Sequence, residues 1–295
     1  NALSPQGYEI WSDVAFAHTT ALAGRMTRDS GATEGRDHFY VDGSQRRGRA
    51  RGDQDVRTST FTSTAVLVGG DHQLNSNLSI GGLLERSKSV ADLGSPGSRT
   101  TVKESTLGVR AVWNKDRMFA YAVGGYGFED YSSTRPIVFS GTSAMASSET
   151  EGREWFVGVT AGKNLTAGIV TISPFVGVLA SHWDTDGFTE TGAGAFNVTV
   201  SDQSARSLRS QIGAAAQLNL QVGTVALLPH VRAAWLHEYD NDARSMHAAF
   251  GGVNYAVATR KPERDSALLS AGLDVMLSPN TLIYADVSAQ TGGIT

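Results

Sequence analysis

Any chemistry in this chain has to come from histidines, carboxylates, arginines and hydroxyls, because its 295 residues include no cysteine. That excludes disulfides and thiolate metal sites. The seven histidines show no HExxH spacing, and neither a GxSxG elbow nor a phosphate-binding glycine loop occurs. No catalytic, cofactor-binding or metal-ligating set is expected, and the chain is not read as an enzyme. The polar residues do show spacing. Arg209 and Gln211, then His230, Arg232 and Glu238, then Asp274, stand at alternate positions of runs whose other positions are mostly apolar. Side chains of one parity share a face of a strand. Such a set can solvate an enclosed, wet space with both signs of charge. The densest charge cluster, Arg46-Arg47-Gly48-Arg49-Ala50-Arg51-Gly52-Asp53, offers anion binding.

The bulk numbers narrow the class. A formal net charge of -4 gives no basis for a nucleic-acid partner. Hydrophobic content is 40% with 33 glycines besides, which is ordinary for a folded chain. No run of 18 apolar residues occurs, so no transmembrane helix is predicted. Asn1 to Gly7 lacks the basic and apolar regions of a secretory signal. Asn1 is therefore read as an artificial or a cleavage boundary, with any signal upstream.

Two kinds of element must position these residues. The first is a helix near the start. Ser4 caps it and Pro5 takes its first position. Ile10, Val14, Ala17 and Ala21 fall on one face, with Trp11, Ala15, His18 and Leu22 beside them. Everything after about residue 37 reads as strand and turn. Leu208, Ser210, Ile212, Ala214, Ala216 and Leu218 form one parity against Arg209, Gln211, Gly213, Ala215 and Gln217. Val231, Ala233 and Trp235, and later Ala267, Leu269, Ala271, Leu273, Val275 and Leu277, repeat the pattern. Phe119, Tyr121 and Val123 alternate with Ala120, Ala122 and Gly124.

The connections are of two lengths. Short ones stand at Leu74–Asn77, Asn114–Asp116, Asn164–Ala167, Val222-Gly223 and Ser278–Asn280, with tight-turn residues. Long polar ones run over about 47–55, 91–100, 132–149, 184–203 and 240–264. The two kinds alternate, giving about eleven strands of roughly 12 to 16 residues, against the usual 5–6. That is the signature of an antiparallel outer-membrane β-barrel, closed because lipid offers the backbone no hydrogen bonds. Trp113, Phe119, Tyr131, Trp155, Trp183, Trp235, Tyr239 and Tyr284 lie toward strand ends, where aromatic girdles sit. In this setting the basic cluster at 46–53 is a solvated extracellular loop. Its alternatives are a lipopolysaccharide contact or adhesion through Arg51-Gly52-Asp53.

A helix ahead of a long-stranded barrel resembles the translocator domain of type V autotransporters. The string SPFVGVLASHWDTDGFTETGAGAFNVTVSDQSARSLRSQIGAAA from Ser173 is similar to the family's strand, long loop and strand. The run Leu228–Tyr239, with its Pro, Trp, His and Glu, and the run Ser278–Asp286 resemble later family strands. The likeness is loose along the chain and close over about 170–290.

The resemblance implies a linker and helix over 1–30 and a barrel over 31–295. The helix would thread the lumen and present Glu9, Asp13, His18 and Arg25 to the inward residues. The implied function is export of an N-terminal passenger across the bacterial outer membrane, unfolded and as a hairpin, followed by anchoring there. Implied partners are that passenger, outer-membrane lipid and lipopolysaccharide, the barrel-assembly machinery and periplasmic chaperones. Some family members cut the passenger by cyclising an Asn in the linker, which Asn1 would fit. The family barrel has twelve strands and an aromatic terminus. Against about eleven here, the resemblance implies a closing strand absent from this sequence. An outer-membrane adhesin or small porin stays open as an alternative. So does the remnant of a GDSL-type esterase, on Leu3–Trp11.

Overall fold

Strand-forming residues with period-two patterning set the architecture from Asp37 onward. The computed structural model describes residues 37–50, 59–92, 97–139, 141–223, 225–240, 245–258, 264–278 and 281–291. The predicted helix, with Glu9, Asp13, His18 and Arg25, lies outside them, as does the expected boundary near residue 30.

The first six strands form consecutive hairpins: β1 (Asp37–Ala50), β2 (Ser59–Asn75), β3 (Leu78–Asp92), β4 (Arg99–Lys115), β5 (Met118–Phe139) and β6 (Thr142–Lys163). A short β7 (Leu165–Ala167) turns into β8 (Val170–Thr185). Next come β9 (Phe188–Thr189), β10 (Val198–Val200), β11 (Gln203–Leu218), β12 (Leu220–Val222) and β13 (Val225–Glu238). The last are β14 (Ser245–Phe250), β15 (Val253–Ala258), β16 (Asp265–Ser278) and β17 (Thr281–Thr291). The large antiparallel sheet runs β1-β2-β3-β4-β5-β6-β8-β11-β13-β16-β17, with β7 and β12 extending its short-turn rim. Those eleven principal strands match the count expected from the turns. The sheet rolls up far enough for the Tyr284 hydroxyl on β17 to donate to Asp42 on β1, at 2.6 Å.

The short connections behave as their residues demand. Between β4 and β5, Asp116 and Arg117 both hold positive φ, 50° and 68°, the geometry of a two-residue hairpin turn. The long connections are more ordered than expected. The segment 132–149 is mostly strand rather than loop: β5 and β6 stay paired out to Phe139 opposite Thr142. The segments 184–203 and 240–264 contribute β9, β10, β14 and β15 to a separate four-stranded sheet. Its small core is Phe188, Val198, Val200 and Ala248, with Phe250 and Tyr255 against it. The Arg-rich stretch is likewise less loop-like. Arg46 to Ala50 belong to β1 and pair with Ser63 to Ser59, while 51–53 lie outside the described residues.

One face of the large sheet is exposed and apolar. Val157, Val159, Val176, Val178, Ile212, Val231, Leu269 and Val287 point outward, each about half or more exposed. On water-soluble proteins such a surface is buried against another layer; around a barrel it is the lipid contact. The other face is packed. Leu67, Leu83, Val123 and Phe156 form one inward cluster, and Phe119, Phe175 and Ala234 another. In the β5 run, the large residues Phe119 and Val123 point in while Ala120, Ala122 and Gly124 point out, so size parity there is reversed relative to β11.

Glycines make this interior fit. Tyr40 faces Gly69, Phe156 faces Gly125, Phe119 faces Gly162 and Phe175 faces Gly213 directly across neighbouring strands. A Cβ at each of these glycines would lie 2.3–2.7 Å from the facing ring or a nearby backbone oxygen. The ring covers the bare glycine backbone, and the glycine gives the ring room.

Candidate functional site

The candidate site is the polar part of the inward face. It divides into several groups, and in some of them a charged side chain leans across a glycine on the adjacent strand. Asp71 on β2, Gly81 on β3 and Arg110 on β4 are aligned by register. A Cβ at Gly81 would sit 1.9 Å from the Asp71 carboxylate. Arg110 donates from Nε to Asp71 at 2.7 Å and from a second nitrogen to its other oxygen. Both side chains are under 5% exposed, and the Tyr40 ring lies against the guanidinium, 4.8 Å from its carbon. This is a fully desolvated bidentate pair.

Further along, Glu104, Glu129 and Glu154 on β4, β5 and β6 are all buried. Thr106 donates to Glu104 at 2.6 Å, and Trp183 donates to Glu129 at 2.7 Å. Tyr131 also donates to Glu129. Glycines again leave the space: a Cβ at Gly127 would lie 2.9 Å from Glu104, and one at Gly152 2.9 Å from Glu129.

The six residues read from the sequence as lumen candidates fall into three contact groups. Arg209 meets Glu238 at 3.0 Å on directly opposed positions of β11 and β13. Glu238 also accepts from the Ser207 hydroxyl at 2.6 Å and the Leu208 amide at 3.0 Å. Arg232 donates to Gln211 at 3.0 Å, and Gln211 donates to Thr160 at 2.9 Å. The Arg232 guanidinium also stacks over Phe175, 4.2 Å from the ring centre. His230 stands 2.8 Å from Asp286 and 4.0 Å from Asp274. Gly272 separates the first two in register, and a Cβ there would strike both, at 2.6 and 2.4 Å.

Sequence reasoning missed Asp71, Arg110, the three glutamates and Asp286. Their signal was parity: in β4, Glu104, Thr106 and Arg110 alternate with Lys103, Leu107 and Val109.

Two of these groups hold three possible metal donors within 4.8 Å of one another: His230, Asp274 and Asp286, and the three glutamates. Their hydrogen bonds and ion pairs already satisfy many of those donor atoms. What the face presents is a series of ion pairs and hydrogen-bonded carboxylates along the inside of the sheet.

At the long-loop end the extensions of β5 and β6 contact the segment that carries β9 and β10. Arg135 on β5 pairs with Glu190, and Glu190 accepts the Val198 amide at 2.9 Å. Arg135 also donates to the Phe196 carbonyl at 3.1 Å. Ile137, Ala146 and Ala193 pack beneath. Burial pushes the Tyr255 hydroxyl above its ordinary range, with nearby Arg135 opposing.

The family model for the autotransporter beta-domain matches residues 39–288. A curated relative, an extracellular serine protease of Serratia marcescens, is 22% identical over 248 residues, covering 82% of this chain. The chain spans about 23% of that relative's length. Among solved structures, the translocator domain of autotransporter NalP from Neisseria meningitidis superposes with a TM-score of 0.71. It is 15% identical, with 95% of this chain and 92% of that one covered. The beta domain of the Bordetella autotransporter BrkA gives 0.62 at 19% identity, covering 89% and 94%. The transport unit of the Escherichia coli autotransporter AIDA-I gives 0.58 at 14%, covering 95% and 93%. These structures share the fold described above. An autotransporter β-domain sits in the bacterial outer membrane and mediates export of the passenger joined to it, and this chain belongs to that family.

Proposed function

We propose that the inward charged groups are the track along which the passenger leaves, and that the segment from Pro5 to Met26 crosses the lumen as the helix that joins passenger to barrel. The observation that carries this reading is the alternation itself: apolar side chains outside and charged or polar ones inside along most strands of the rolled sheet. A helix is about 10–12 Å across with its side chains. Glu9, Asp13, His18 and Arg25 would meet Arg209, Gln211, His230, Arg232, Glu238 and Asp274. Translocation of this kind needs no nucleophile or general base in the barrel, so the barrel itself is proposed to be non-catalytic. Its assembly would draw on the barrel-assembly machinery and periplasmic chaperones. The protease activity in the name of the Serratia protein belongs to that longer protein.

A reporter domain fused ahead of Asn1, behind a secretory signal, tests the reading in intact cells. The expected result is reporter cleaved by protease added outside, with the barrel heat-modifiable in the outer membrane. A folded outer-membrane barrel with the reporter held in the periplasm would contradict it.

A further inference from the structure

The outward face carries an arrangement that export does not use. On β3 and β4, Leu84 opposes Leu107, and both project into the lipid band. One step toward the long-loop rim, Arg86 opposes Ser105 and donates to its hydroxyl. One step further, Lys88 directly opposes Lys103. All three basic side chains are on the exposed parity. Arg47 on β1 lies on the same face one row higher, through Thr62 and Val90.

Like charges directly opposed in a sheet are destabilising. Two rows above, the same strand pair sets Arg99 against Asp92, and those side chains meet at 3.0 Å. Lys88 and Lys103 have no such arrangement. Asp130 follows Lys103 in register on β5. Among the described residues, neither lysine has a carboxylate within 4.0 Å. The cluster sits where the apolar band ends, beside the outward aromatics Tyr126 and Phe128 of β5. In an outer membrane whose outside is the long-loop side, that is the level of the outer-leaflet headgroups.

We propose that Arg86, Lys88 and Lys103 form a binding site for the phosphate groups of an outer-leaflet glycolipid. An anion between the two lysines turns their repulsion into shared attraction. The Arg86 fork, fixed by Ser105, can engage phosphate oxygens in pairs. The lipid's acyl chains then lie over Val68, Leu84 and Leu107, which are exposed one row below Arg86. This inference rests on the outer-membrane placement and is independent of the lumen.

The test uses the full chain, purified in a zwitterionic detergent and titrated in native mass spectrometry. The probes are lipopolysaccharide, the same glycolipid with its phosphates removed, and inorganic phosphate. Each basic residue near a charged surface contributes about 1 kcal/mol. With three such residues removed, the variant R86Q/K88Q/K103Q should therefore bind lipopolysaccharide roughly a hundredfold more weakly. The variant K115Q/K163Q, which removes charge from the opposite rim, should bind normally. The dephosphorylated lipid should bind weakly to every form. Equal binding by the triple variant, or an equal loss in K115Q/K163Q, would overturn the site. Full displacement by millimolar inorganic phosphate would show that free phosphate is the ligand and overturn the lipid assignment. If the triple variant does not fold, K88Q alone is measured, with a loss of several-fold expected and no loss counting against the site. Reporter display by any folded variant should be unchanged, so failure here is distinguishable from failure of export.

Discussion

Arg110→Met is expected to destabilise the folded barrel by about 3–5 kcal/mol, because it leaves the Asp71 carboxylate buried without its partner. Asp71 is 1% exposed at its side chain, so water cannot take over. The pair is also sterically committed: Gly81 lies between its members, and no Cβ fits there. Urea unfolding in lipid vesicles, followed by tryptophan fluorescence and by heat-modifiable migration, measures the loss. Asp71→Leu combined with Arg110→Met should recover most of it, since apolar replacement of a buried pair is often close to neutral. If Arg110→Met unfolds with the wild-type midpoint, the inward face is hydrated at this level and the desolvated pair is wrong.

Val159→Arg should cost about 2–4 kcal/mol, the price of a cation near the bilayer midplane on the lipid side. Val159 is 52% exposed and lies in β6 between Trp155, at the outer aromatic level, and Lys163, at the short-turn end. Depth is the control. Thr101→Arg, on the same outward face but above the lysine row, should cost only about 0–1 kcal/mol. The two variants are compared by the same vesicle unfolding measurement. Equal costs at both positions would mean that the exposed apolar face does not contact hydrocarbon.

Much of this was legible because strand period is two and a lipid-facing strand cannot hide it. The run from Ser207 to Leu218 gave its faces directly: Ile212 is outward, and Gln211 bonds to Thr160 inside. The strand count followed from Asn, Gly and Pro at the short turns. The inward pairings were not legible, because register decides them. Asp286 meets His230 only because Gly272 stands between them, 42 residues beyond the one and 14 before the other in the chain. The glutamates of β4 to β6 were hidden among polar residues of both parities. Lys103 and Glu104 are adjacent, and only the paired sheet sends one to lipid and the other inside. The ordered loops were misjudged for a related reason. Polar composition suggested solvent between 132 and 149, whereas Ile137 and Arg135 find partners on another loop, Ala193 and Glu190. Such long-range contacts leave no local pattern.

The most direct measurement of the central claim, that the passenger leaves along the inward face, is site-specific photocrosslinking with an exported passenger stalled in transit. A photoreactive side chain is placed in turn at Gln211 and Arg232, which bond to each other inside, and at Ile212 and Ala233, which face outward. Adducts to the passenger from positions 211 and 232, and none from 212 and 233, are predicted. Adducts from the outward positions, or none from the inward ones while the stalled passenger is present, would contradict it.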